Sequence, residues 1–177
     1  MAAEPWQRAE VPGPLKAFTI PKPQVVVAMV KKAKRPILVA GHKVAEIELG
    51  DKLLIDYVIR LAKASNIPVV ATAHTVSEFL KRGFKPAGFM PLMDIANRLV
   101  DPEWEGLDGE GPYDLALFIG LPYYMGWLVL SGLKHFSELT TISLERHYQP
   151  HASWSFPNLS VERWRENLES MISMWEG

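Results

Sequence analysis

The sequence has no cysteine among its 177 residues. That excludes disulfides, thiolate metal sites, cysteine-held iron–sulfur clusters and cysteine nucleophiles from this chain. Charge of one sign is also missing. With 19 Lys and Arg against 20 Asp and Glu the net charge is −1, and without a basic stripe nothing draws the chain to nucleic acid. The beginning, MAAEPWQRAEVPGP, has no apolar core of signal-peptide length, so a cytoplasmic protein is expected. Neither phosphate-loop fingerprint, GxGxxG or GxxxxGK[ST], occurs, nor does HExxH or a GxSxG elbow. No internal repeat is visible. What is left, 48% hydrophobic and 22% charged, is the composition of an ordinary globular protein of one-domain size.

Long uncharged stretches are few, and one stands out: Leu115 to Leu133, within DLALFIGLPYYMGWLVLSGLKHF. A bilayer span needs about 20 apolar residues, so length alone permits one. The interior argues against it. Gly120 and Pro122 punctuate the run, Asp114 precedes it, and no Lys/Arg cluster flanks it. Leu115-Ala116-Leu117-Phe118-Ile119 reads as a strand buried on both faces. Tyr123 to Phe136 reads as a helix, with small Gly126, Ser131 and Gly132 letting its backbone approach a sheet.

The same strand-then-helix order recurs along the chain. Residues 1–24 hold Pro5, Pro12, Pro14, Pro21 and Pro23, which keep this segment an extended arm. A single α/β domain, 25–177, follows. Its expected elements are a helix from Gln24 to Lys34, a strand at Ile37–Ala40, and a helix from Leu53 to Ala64 with Asp51 as N-cap. A strand at Ile67–Ala71, short helices near Val76–Lys81 and Pro91–Leu99, and an acidic turn-rich loop, DPEWEGLDGEGP, come next. After the uncharged run come a strand at Thr140–Leu144, fourteen aperiodic residues, ERHYQPHASWSFPN, and a helix from Ser160, its N-cap, to Met174. Apolar strands alternating with helices specify an α/β fold with a parallel sheet covered on both faces.

In such a sheet ligands bind beyond the strand carboxyl ends, where helix N-termini point. The turns expected there contain Gly41-His42-Lys43, Thr72-Ala73-His74-Thr75, Gly120-Leu121-Pro122-Tyr123-Tyr124 and Glu145-Arg146-His147-Tyr148. Three chemistries compete with bland alternatives. For a nucleotide, N–H groups at Gly41 or Gly120 with Lys43 or Arg146 would hold a pyrophosphate, and Tyr123 and Tyr124 would stack on a ring. The bland alternative is that these glycines only make tight turns. For a metal, His147 and His151 are four apart, but Pro150 between them breaks a helical pair; hydrogen-bonding loop histidines are the commoner outcome. For nucleophilic catalysis, Ser143, Ser153 and Ser155 stand in no activating setting. Separately, Trp6, Trp104, Trp154, Trp164 and Trp175 fall outside the expected core strands, and tryptophan in such places favours a protein contact surface. Trp127, in the apolar helix, reads as core.

Extended wording also carries a likeness. Residues 101–136, residues 145–160, and the segments RPILVAGH and IPVVATAHT resemble the epsilon subunit of the archaeal acetyl-CoA decarbonylase/synthase (carbon monoxide dehydrogenase) complex. The likeness runs from about Lys34 to Leu159. It implies a three-layer, Rossmann-like α/β/α fold similar to the deoxyhypusine synthase domain. It also implies an accessory subunit of an α2ε2 component, whose large alpha subunit carries the nickel–iron–sulfur cluster, in acetyl-CoA metabolism including methanogenesis. The suggested roles are stabilising alpha and assisting electron transfer to FAD. Self-association of the isolated chain is a further expectation. No catalytic residue of the family transfers to a position here. If FAD binds, the expected cofactor residues are Gly41, His42, Lys43, Thr72, His74, Gly120, Tyr123, Tyr124 and Arg146. No resident metal is expected, since a chain without cysteine cannot ligate the clusters itself.

Overall fold

The computed structural model describes residues 13–72 and 74–177. Elements are β1 (Phe18–Thr19), α1 (Pro23–Lys32), β2 (Pro36–Ala40), a 3-10 turn (His42–Ala45), β3 (Glu48–Leu49), β4 (Lys52–Leu53), α2 (Leu54–Ser65), β5 (Val69–Ala71), α3 (Thr75–Lys81), β6 (Gly88–Phe89), α4 (Leu92–Val100), β7 (Leu115–Ile119), α5 (Tyr123–Phe136), β8 (Thr140–Ser143), β9 (Trp154–Ser155) and α6 (Val161–Glu176). Among the described residues seven strands form one sheet in the order β1-β9-β8-β7-β2-β5-β6. Every neighbouring pair is parallel, as the alternation of strands and helices requires. β3 and β4 make a separate antiparallel hairpin.

The sheet separates two apolar layers. Side chains alternate across a strand, so Leu38 and Ala40 of β2 join one cluster while Ile37 and Val39 join the other. The first cluster takes Val26 and Val30 from α1, Val58 and Leu61 from α2, and Trp164 and Leu168 from α6. The second takes Ile95 and Leu99 from α4 and Val129, Leu130 and Leu133 from α5. β7 is buried along its whole length, because helices cover both its faces. The uncharged run is thus β7, a turn and α5, and no helix among the described residues is long and apolar enough to cross a membrane.

Several local expectations are corrected. Asp51 does not cap α2: Gly50 and Asp51 form the bend of the β3–β4 hairpin, and the N-cap position falls on Leu53. Asp56 acts instead, its Oδ2 accepting the Leu53 N–H at 3.1 Å. Ser160 does cap α6, accepting the Arg163 N–H at 3.2 Å. Part of the proline-rich arm is an edge strand: Phe18 and Thr19 pair with Trp154 and Ser155, while Ala17 and Ile20 are buried. Trp6, Pro5 and Pro12 lie outside the described residues.

Among the described tryptophans, one expected at the outside is core instead. Trp164 is fully buried, and its Nε1 donates to Leu144 O at 2.8 Å. Trp154 and Trp175 pack half-buried on the first cluster, and Trp104 lies 5.6 Å from the Tyr113 ring. Trp127 is half-buried rather than core, 4.7 Å from the His151 ring. An indole adds more area to a layer than any other side chain, so a helix or short strand that reaches the sheet tucks it in.

Candidate functional site

Two runs of strands leave β2 in opposite directions. β5 and β6 go to one side, β7, β8 and β9 to the other. The place where the order reverses lies between β2 and β7, beyond their carboxyl ends. Ala40 pairs with both Ala71 and Ile119, and Phe118 with Ser143, so the turns after β2, β5, β7 and β8 share one edge.

At the reversal point the two glycine turns close on each other. Gly41 N–H donates to Ile119 O at 2.8 Å, and Lys43 N–H donates to Gly120 O at 2.9 Å. A Cβ on Gly41 would overlap Gly120 O, and one on Gly120 would overlap the Val44 side chain. Gly120 also has φ +76°, which strains any L side chain. Glycine is needed here for backbone-to-backbone contact. The Gly120 N–H points at the Glu145 carboxylate, and Leu121 N–H donates to Glu145 Oε1 at 2.8 Å. Two N–H groups of the turn that leads into α5, beside the place where a ligand anion would sit in such a fold, therefore hold the chain's own carboxylate.

Beside Glu145 opens a cavity of about 320 Å³. Its walls are Leu121, Pro122 and Tyr123 from the β7 turn, Glu145, Arg146, His147 and Gln149 from the β8 turn, Lys43 and Ile47 after β2, and Val161 and Trp164 from α6. The lining is mainly apolar and includes two cations, Lys43 and Arg146. Lys43 Nζ pairs with Glu46 Oε2 at 2.7 Å, and Arg146 Nη2 lies 3.0 Å from His147 Nε2. Tyr123 Oη donates to Tyr148 O at 3.1 Å, which turns its ring into the wall. Gln149 is fully buried; its Nε2 donates to Tyr123 O at 3.1 Å, and its Oε1 has no partner among the described residues. Burial pushes the Glu145 carboxyl up to about 7, against the opposing pull of the Leu121 and Gly120 N–H groups. Two further depressions, of about 330 and 560 Å³, lie by the strand amino ends, around Asp114 and Thr140 and around Asn66 and Pro68. Helix N-termini do not point to that edge.

Of the nine residues expected at a cofactor edge, the cavity brings together Lys43, Tyr123 and Arg146. Gly41 and Gly120 lie behind it as packed backbone. Thr72 is buried with its Oγ1 donating to Ala40 O at 3.1 Å. His74 is exposed ahead of α3, and His42 is exposed with its Nε2 3.9 Å from Glu46 Oε1. Tyr124 points away, 70% exposed on the outer face of α5. Sequence reasoning placed Glu145 in its turn without a role, and missed Gln149 and Trp164 as cavity residues. The one available signal was Glu145 itself, a carboxylate directly after an apolar strand. His151 is not at the edge either: it is buried beside Trp127, where burial first and then the charges of Lys134 and His135 hold its imidazole below the usual range. Among the described residues no group of three His, Cys, Asp or Glu could hold a metal ion.

A family model described as "CO dehydrogenase beta subunit/acetyl-CoA synthase epsilon subunit" matches residues 1–172. The chain belongs to this family. Its similarity to individual epsilon subunits is extensive. An acetyl-CoA decarbonylase/synthase complex subunit epsilon 1 from Archaeoglobus fulgidus is 44% identical over 147 residues, covering 82% of this chain and 77% of that one. The subunit epsilon of Methanothermobacter thermautotrophicus is 35% identical over 172 residues, covering 96% and 94%. That of Methanothrix soehngenii is 37% identical over 158 residues, covering 88% and 81%.

Proposed function

We propose that this chain is a non-catalytic subunit of an acetyl-CoA decarbonylase/synthase complex, binding and stabilising the large alpha subunit of the carbon monoxide dehydrogenase component. The observation that supports this reading is family membership across nearly the whole chain, joined to the absence of cysteine. A subunit of such a complex that supplies no thiolate leaves cluster chemistry to its partner. Its own contribution is then a folded surface. Binding to the native partner and not to its unfolded form raises the partner's apparent stability by mass action. Affinity purification of the tagged chain from its native cells is the test. Recovery of a large iron–sulfur protein in stoichiometric amount is expected; a chain that emerges alone rejects the reading.

A second reading, a flavin held at the strand edge to take electrons from the partner, has one observation in its favour. The cavity sets the rings of Tyr123 and Trp164 beside Arg146 and Lys43, as a flat anionic cofactor requires. Phosphates of FAD compete there with Glu145 for the Gly120 and Leu121 N–H groups. Titration followed by flavin fluorescence is expected to show saturable quenching that Glu145→Ala strengthens severalfold. No saturable change up to high micromolar FAD in either protein rejects it.

A further inference from the structure

With the described tryptophans buried or half-buried, the large exposed apolar side chains are others: Leu15, Phe18 and Phe89 singly, and three together on α5. The outer face of α5 carries Tyr124 (70% exposed), Leu128 (51%) and Phe136 (74%). These positions are four apart and lie on one i±4 row of the helix. The fourth member of that row is Gly132, and a Cβ built there meets nothing within 4 Å. The row therefore reads knob, knob, notch, knob: Tyr124, Leu128, Gly132, Phe136. No acidic residue occurs in α5, and its basic residues, Lys134 and His135, fall in the last turn.

We infer that this row is a two-fold interface and that its occupant is the same row of a second copy. Turned antiparallel about an axis midway between Leu128 and Gly132, each Leu128 enters the partner's Gly132 notch. Each Tyr124 then meets the partner's Phe136. Rows on the i±4 lines of two helices align when the helices cross at about 50°, so all four positions stay in register. The arrangement is isologous, as a closed pair demands. Lys134 stays out of the contact, since its Nζ donates to Leu15 O of its own chain.

The area fits a dimer. An aromatic side chain buries about 150–250 Å² when fully covered, so this row offers about 300–400 Å² of apolar surface per copy. That matches the apolar centre of an interface of about 800 Å² per partner. The opposite layer of the molecule shows less of this character: of its helices, α1 and α2 expose no large apolar side chain among the described residues, α3 exposes Leu80 and α6 Val161.

Sedimentation equilibrium of the purified full chain tests the inference without reference to any larger complex. The expected mass is twice 19.9 kDa. Gly132→Leu fills the notch and is expected to halve it while leaving the far-UV circular dichroism unchanged, because the new side chain points into open space. Leu128→Glu is expected to do the same. Because the chain has no cysteine, Tyr124→Cys with Phe136→Cys gives a clean cross-linking background, and a short bis-maleimide is expected to join the two copies covalently. A monomeric parent chain at high micromolar concentration overturns the inference, including the case in which the large subunit covers this face instead. So does a dimer that survives Gly132→Leu and Leu128→Glu, or a double-cysteine chain that fails to cross-link.

Discussion

Near neutral pH the Glu145 carboxyl stands at its own titration point, and this single group couples the stability of the fold to pH. Its folded value, about 7, lies above the ordinary 4.5. The folded state therefore holds the proton more tightly than the unfolded state. Below about pH 4.5 both states are protonated and no penalty applies. Between about 4.5 and 7 the penalty for keeping the carboxylate enclosed grows, and above 7 it is complete. At about 1.4 kcal/mol per pH unit the upper bound is about 3 kcal/mol. Glu145→Gln keeps an oxygen for the Leu121 N–H but cannot ionise. Denaturant melts are expected to show the variant more stable than the parent at pH 8 by about 1–3 kcal/mol, with the difference closing as the pH falls below about 4.5. A difference independent of pH would mean that the side chain acts through packing alone.

Individual elements divide by how much of their stability is local. β7 and α5 begin and end where the sequence says they should, because Gly120 and Pro122 interrupt an otherwise uncharged run and each side has its own length and pattern. Ser160 was equally legible as a cap. Strands β1, β6 and β9 were not, since two residues carry no alternation. They exist because a neighbouring strand already offers unpaired N–H and C=O groups. Glu145 was illegible as a half-buried acid for a related reason: an acidic loop residue reads as solvated until the β7 turn, whose N–H groups it accepts from, is known to pack against it. The glycine turns lie between these cases. Gly41 and Gly120 announced tight turns, but their contact with each other, across strands far apart in sequence, did not show. That contact leaves no room for a methyl group, and Gly120 adds a left-handed backbone. Gly120→Ala is expected to lower stability by about 2–4 kcal/mol, overpacking and backbone strain together. Thermal melts would check it.

Across the whole molecule, the sheet gives different surfaces different duties. The carboxyl edge carries the cavity and its acid, while the outer face of α5 carries the apolar row. A pair formed through α5 leaves both cavities open, and leaves the α1–α2–α6 layer free for a larger protein. Association of this chain with itself and with a large subunit are thus compatible, and an assembly containing an even number of these chains is the expected result of the purification described above. The order of the strands has one more consequence. β1, made first, has only β9 as a neighbour, and Tyr148 Oη reaches back across 131 positions to Ala17 O. While the protein is being synthesised, the opening segment must wait with its backbone unpaired until nearly everything else has emerged. The first of the described strands is the last strand to find its place in the sheet, and it fastens the loop that shapes the cavity.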